Sequence, residues 1–294
     1  MATCPTGGER NGGRDTLPVA VIAAVMVVAY APLIGQVVRL SLRTTQAVNA
    51  LLLVAFALVE AGLSARGRYR VRPQINHHGL LLVALSTAAL AVATWFWLWP
   101  LAVAGLCLNL GALLSFGLGR DGARLFYPAL AGLGATAGLV LLVPQADWWL
   151  RLLAAGISSR LLAWCGVATE VAVRWRPFLV VLVVEKGARV FDVATECNGF
   201  GILLSSVVLT VIVAARRRYA WLRFAALLGL ALVVGLLFNT LRITVITLLA
   251  LRTEWDYAWL HEGAGTVLYV LALVVVYLVV TLPRGQHAAT GVPR

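Results

Sequence analysis

The chain has 294 residues, 61% of them hydrophobic, and a mean hydropathy of +0.91, which excludes a water-soluble domain, where roughly half the residues are apolar. Its 24 Lys and Arg against 12 Asp and Glu give a formal charge of +12. These cations fall between apolar runs and form no patch or stripe, so they mark membrane topology and exclude a nucleic-acid face.

Residues 1–16 lack apolar periodicity and are expected to form a disordered cytoplasmic tail. The run 17–38 is too long for a signal-peptide core and no small-residue cleavage site follows it, so it reads as the first membrane span. Further spans are expected at 46–64, 79–97, 101–118 and 125–144, completing an N-terminal bundle of about five spans over 17–144. Arg66, Arg68, Arg70 and Arg72 crowd into seven residues after the second span, a cluster normally retained in the cytoplasm. Between the third and fourth spans, interfacial Trp95, Trp97 and Trp99 precede helix-breaking Pro100, which predicts a turn at the outer surface. Arg120 and Arg124 mark the return inside.

Residues 145–197 differ in character. Trp148, Trp149, Arg151, Arg160, Trp164, Arg174 and Trp175 interleave with leucines, which predicts an extracytoplasmic helix in the headgroup layer. The β-branched runs 178–184 and 189–195, separated by Glu185, Lys186, Gly187 and Ala188, predict a short β-hairpin leading to Cys197. The last region, 198–283, holds spans at 199–214, 221–238 and 265–282, followed by a cytoplasmic tail at 284–294. Arg216, Arg217, Arg218 and Arg223 supply a second cytoplasmic marker. The short apolar stretch 243–251 is read as an extension of the seventh helix or a partly re-entrant piece. The expected fold is an all-α polytopic membrane protein with about eight transmembrane helices. Parity between the arginine clusters puts both termini inside a cytoplasmic membrane, with Cys197, Arg242 and His261 on its extracytoplasmic side.

Three reactive residue types thus fall at three boundaries of one leaflet. Cys197 stands where a strand gives way to a helix, and the unpaired N–H groups of a helix N-terminus favour the thiolate, the nucleophilic form. Asn198 and Gly199 permit close backbone approach to a substrate, and the free N–H groups there suit an oxyanion hole. Arg242 follows a long apolar run, where a permanent charge needs a partner or access to water. Asn239, one turn earlier, shares its face and can donate toward a carbonyl or carboxylate. His261 is a natural proton shuttle for a cysteine, and Glu196, next to Cys197, and Glu262, next to His261, are alternative candidates to orient it. His77 and His78 lie beyond the first arginine cluster, on the opposite side, and His287 is in the tail. The four cysteines, Cys4, Cys107, Cys165 and Cys197, show neither metal-ligand spacing nor a disulfide framework. Pairing of Cys165 with Cys197 is left open; Cys107, flanked by leucines, reads as apolar filler. No metal or cofactor is expected.

The segments Glu196-Cys197-Asn198-Gly199, Asn239-Thr240-Leu241-Arg242-Ile243 and His261-Glu262-Gly263-Ala264-Gly265 occur in the order seen in the exosortase/archaeosortase family of multi-pass membrane transpeptidases, which the chain resembles over roughly 178–282. Asn198 stands where members of that family often carry serine or threonine. By this resemblance Cys197 would be the nucleophile, Arg242 the oxyanion stabiliser and His261 the proton-transfer partner. The implied substrates are exported proteins with a C-terminal recognition motif, a transmembrane helix and a basic cluster, cleaved near the motif. A lipid or surface glycan is the implied acceptor of the new C-terminus. The alternatives are a multi-pass transporter, in which Arg242 and His261 bind cargo or relay protons, and a membrane transferase without a covalent cysteine.

Overall fold

The computed structural model describes residues 16–43, 45–69, 71, 73–175, 178–184, 189–193, 200–253 and 257–282. They form, in order, helices α1 (Thr16–Arg43), α2 (Thr45–Ala65), α3 (His77–Phe96), α4 (Trp99–Arg124) and α5 (Tyr127–Trp164), strands β1 (Thr169–Trp175), β2 (Phe178–Val184) and β3 (Arg189–Val193), and helices α6 (Phe200–Arg217), α7 (Trp221–Arg252) and α8 (Tyr257–Thr281). Among the described residues seven helices are long and apolar enough to cross a membrane, and α5 adds a shorter apolar stretch, Tyr127–Leu142. The protein is therefore the polytopic helical membrane protein expected, the count of eight resting on that shorter stretch. Most of both tails, Arg70, Arg72, the stretch 185–188 expected to turn the hairpin, and Glu196, Cys197, Asn198 and Gly199 lie outside the described residues.

Apolar side chains such as Val28 and Phe56 are 74% and 71% exposed, a liability in water and the normal state of a helix solvated by lipid. Exposed tryptophans stand at or beside helix ends, Trp95 in the last turn of α3, Trp97 between α3 and α4 and Trp221 at the start of α7, where amphipathic rings meet the headgroups.

The chain divides into two compact units, Met1–Val143 and Pro144–Arg294. In the first, the tryptophan-rich turn forms where α3 ends on Trp97, whose left-handed backbone (φ 57°) returns its N–H to the Ala93 carbonyl. Pro100 then opens α4, where the missing N–H leaves no helical bond unmade. At the opposite end of the pair, Asn76 caps α3 by accepting from the Gly79 N–H at 2.7 Å and donates to the Ser115 carbonyl at 2.7 Å. The wholly buried Tyr30 of α1 donates to the Ser86 carbonyl of α3 at 3.0 Å and sits 2.9 Å from the Ser86 hydroxyl. Such a polar pair ties helices together in lipid, where burying apolar surface contributes no net association.

In the second unit the aromatic and basic stretch expected as a separate interfacial helix is continuous with the fifth span in α5. That helix ends at Gly166, whose φ of 80° suits glycine. The expected hairpin is present as β2 and β3, with Val180 opposite Val193 and Val184 opposite Arg189. It gains a third strand: β1 pairs antiparallel with the other edge of β2, from Thr169 opposite Val184 to Trp175 opposite Phe178. β2 is the central strand, and Val180, Val181, Leu182 and Val184 are all buried, which accounts for an unbroken apolar run in place of alternation.

The 32 residues of α7 measure about 48 Å at 1.5 Å per residue, well beyond a hydrocarbon core of about 30 Å. The stretch 243–251 is thus the extension of the seventh helix, not a re-entrant piece. Polar residues do not break it, because Thr240 and Thr244 turn their hydroxyls back onto the Leu237 and Thr240 carbonyls, each at 2.8 Å. Ile243 packs into a buried cluster with Ala154, Ala155 and Leu162 of α5 and Val180 and Leu182 of β2, with Leu248 against its edge. Ser158 of α5 adds a hydrogen bond to the Thr240 carbonyl at 3.2 Å.

The other end of the three-helix group is basic. Arg217 donates to the Thr281 carbonyl at 2.8 Å, Tyr219 to Val280 at 2.8 Å and Arg223 to Leu282 at 3.4 Å. The Arg223 guanidinium also lies 4.0 Å from the centre of the Tyr219 ring. These carbonyls have no partner within α8, so the α6–α7 connection clamps the end of the last helix.

Candidate active site

Two contacts in the bundle core fix the relative heights of α6, α7 and α8. Gly235 of α7 faces Leu203 of α6 so closely that a Cβ built on the glycine would lie 2.9 Å from Leu203 Cδ2. Tyr269 of α8 donates to the Ser205 hydroxyl of α6 at 2.7 Å. From that level Arg242 is seven residues along α7 and His261 eight residues along α8, rises of about 10 and 12 Å. The start of α6 at Phe200 lies toward the same end, about 5–7 Å above its own two contact residues.

There Arg242 and His261 meet across the α7–α8 interface, guanidinium Nη2 to imidazole Nε2 at 3.4 Å. A guanidinium only donates, so in this long hydrogen bond Nε2 is the acceptor and Nδ1 carries the proton of the neutral ring. Their approach depends on residue 265 lacking a side chain. A Cβ built on Gly265 would stand 2.7 Å from Arg242 Nη2, 2.8 Å from Nε and 3.0 Å from Cζ, all closer than carbon tolerates. Asn239, three residues before Arg242 on α7, is wholly buried.

The arrangement can do two things chemically. It presents a fixed positive charge with several N–H donors, suited to a carbonyl oxygen gaining negative charge, beside a ring able to carry a proton. Arg242 and His261, expected at one membrane boundary, are brought together. They lie inside helices, not at the ends the apolar runs implied: α7 continues ten residues past Arg242 and α8 starts four residues before His261. Glu262 is exposed, and as the neighbour of His261 on a helix it projects about 100° away. Cys197, Asn198, Gly199 and Glu196 lie outside the described residues.

Sequence reasoning quoted Gly265 only as part of a motif, without a role, and missed Ser205 and Tyr269. The signal was present: His261, Gly265 and Tyr269 recur every four residues, the spacing of one helix face. His78 belongs to the N-terminal unit, with Nε2 2.9 Å from the Tyr127 hydroxyl. Cys107 and Cys165 are free thiols, and the Cys107 thiol points at the Leu130 carbonyl at 3.5 Å. Among the described residues no group of three or more His, Cys, Asp or Glu side chains could hold a metal ion.

A family model described as transmembrane exosortase matches residues 41–278, far more of the chain than the three motifs alone cover. No curated protein and no solved structure matches it.

Proposed function

The chain belongs to the transmembrane exosortase family, and from that premise we propose that it is a cysteine-dependent sorting transpeptidase acting on the C-terminal tails of exported proteins at the outer face of the cytoplasmic membrane. The observation that carries this reading is the Arg242–His261 contact at the end of the bundle where α6 begins. Cys197 is three residues upstream of Phe200 in sequence, and three peptide steps reach at most about 11 Å. That reach covers the height from the first turn of α6 to the Arg242–His261 level.

In the proposed reaction the Cys197 thiol gives its proton to His261, and the sulfur bonds to the scissile carbonyl carbon. Arg242, with backbone N–H groups around Asn198 and Gly199, holds the oxyanion. As the C–N bond breaks, His261 returns the proton to the leaving amine, and the tail departs with its transmembrane helix. An acceptor amine or hydroxyl on a lipid or glycan, or water, then attacks the thioester, loses its proton through His261 and regenerates the thiol.

The test is to map the C-termini of cell-envelope proteins by mass spectrometry, in cells carrying the native protein or Cys197→Ala at matched expression. A set of proteins that keeps hydrophobic, basic tails only in the mutant is the expected result, and mass added at the native C-termini identifies the acceptor. Coincident profiles would sink the thiol mechanism and bring the transporter reading forward.

A further inference from the structure

We propose that the N-terminal unit holds one acyl chain of an anionic phospholipid in a cleft among α3, α4 and the first part of α5. The cleft encloses about 590 Å³, within the range of specific small-molecule sites. His78 and Tyr127 line one end, Pro100 and Gly138 the other, with Cys107 and Gly134 between them. No residue of the Arg242–His261 site takes part, so the inference stands apart from the proposed reaction.

The shape suits an extended chain. From Tyr127 to Gly138 α5 rises about 16 Å. Spread along the lining from Tyr127 to Gly138, the 590 Å³ leave room for an extended acyl chain. The cleft persists because the α5 wall runs through the small residues Ala131, Gly134 and Gly138. A Cβ built on Gly138 would find nothing within 4 Å, while one on Gly134 would reach Cys107 Sγ at 3.0 Å. These walls belong to helices that cross the membrane, so whatever fills the cleft is drawn from a hydrocarbon solvent.

Charge selects the headgroup. The polar side chains of the lining converge at one end, where His78 Nε2 and the Tyr127 hydroxyl are 2.9 Å apart. That is also the end where α4 finishes with Arg120 and Arg124 and where the connection bearing Arg66 and Arg68 arrives. The connection is held there by the hydrogen bond from the Gln74 N–H to the Phe116 carbonyl, 2.9 Å. Asp121 offsets part of this charge through its 3.3 Å pair with Arg124. An excess of arginine at the headgroup level attracts anionic lipid, and a lipid presents its chain and its charge in the order the cleft requires.

The experiment reconstitutes the full-length protein in vesicles of phosphatidylethanolamine and phosphatidylglycerol, extracts it in mild detergent and counts retained lipids by native mass spectrometry. One phosphatidylglycerol per chain should remain. Gly138→Leu and Ala131→Leu, which plug the cleft, should each lower its retention by about tenfold. Gly229→Leu, on an exposed face of α7, should retain it fully. Undiminished retention in both plugged variants that elute as single species, or equal retention of phosphatidylethanolamine, overturns the proposal. In the otherwise native protein a photoreactive residue at Ala104 should cross-link to lipid; cross-linking to a polypeptide instead means that a protein segment fills the cleft, and the proposal fails.

Discussion

Gly265 lies directly beneath the guanidinium of Arg242, with 2.7 Å between its hypothetical Cβ and Nη2. The pairing of Arg242 with His261 is therefore set by an absent side chain as much as by the two that are present. Gly265→Ala should push Arg242 off the imidazole and lower tail processing by about a hundredfold, the scale expected for a misplacement of about 1 Å. Gly263→Ala, where an added Cβ meets nothing within 4 Å, should process normally. Equal activity in the two variants, measured as the ratio of processed to full-length substrate, would remove Gly265 from the account.

Arg242→Lys keeps the charge and loses the planar fork of donors. If Arg242 holds an oxyanion, processing should fall by about a hundredfold or more while the protein accumulates to wild-type levels. Near-normal processing would reduce Arg242 to an interfacial anchor. His77→Ala, in the N-terminal unit, should leave processing unchanged.

Tyr269→Phe deletes the hydrogen bond to Ser205 with little change of volume. Interhelical bonds of this kind contribute about 0.6 kcal/mol in a bilayer. A small loss of resistance to denaturing detergent is expected, with substrate processing kept above about half. A loss of activity without a loss of stability would instead place the Tyr269 hydroxyl in the reaction.

A chain in which Cys4, Cys107 and Cys165 are replaced by serine leaves Cys197 as its sole thiol. That thiol should react with a membrane-impermeant maleimide in intact spheroplasts. In the same background with Cys197 also replaced, Arg218→Cys should react only after permeabilisation. The reverse pattern would invert the topology assigned from the arginine clusters.

The spans were legible because hydropathy and helix length are dictated by the same solvent: each apolar run between arginine clusters became one helix. β2 was legible as a dense apolar run, whereas β1 was not. Arg174 and Trp175 sit equally well on an interfacial helix, and only the pairing of Val171 and Val173 with Leu182 and Val180 decides for a strand. Arg242 and His261 were recognisable by type and as a pair at one end of the bundle. Their positions inside α7 and α8 were not, because polar residues that mark the end of an apolar run need not end a helix. Thr240 and Thr244, bonding to their own backbone, remove the penalty that hydropathy assigns them.

The clamp on α8 has a consequence for which changes the protein can tolerate. With Thr281 held by Arg217 and Val280 by Tyr219, the last helix behaves as a gauge block, and His261 stands about 30 Å from the clamp. Exchanging one exposed apolar residue for another between Tyr269 and Val280, as at Val270 or Val274, leaves the block its length. Deleting a single residue between Tyr269 and Val280 would turn the imidazole by about 100° and draw it in by about 1.5 Å, with almost no change in hydropathy. On the lipid-facing side of this stretch composition is free and count is not, so a one-residue deletion there should silence the enzyme while leucines at the exposed Val270 and Val274 should not.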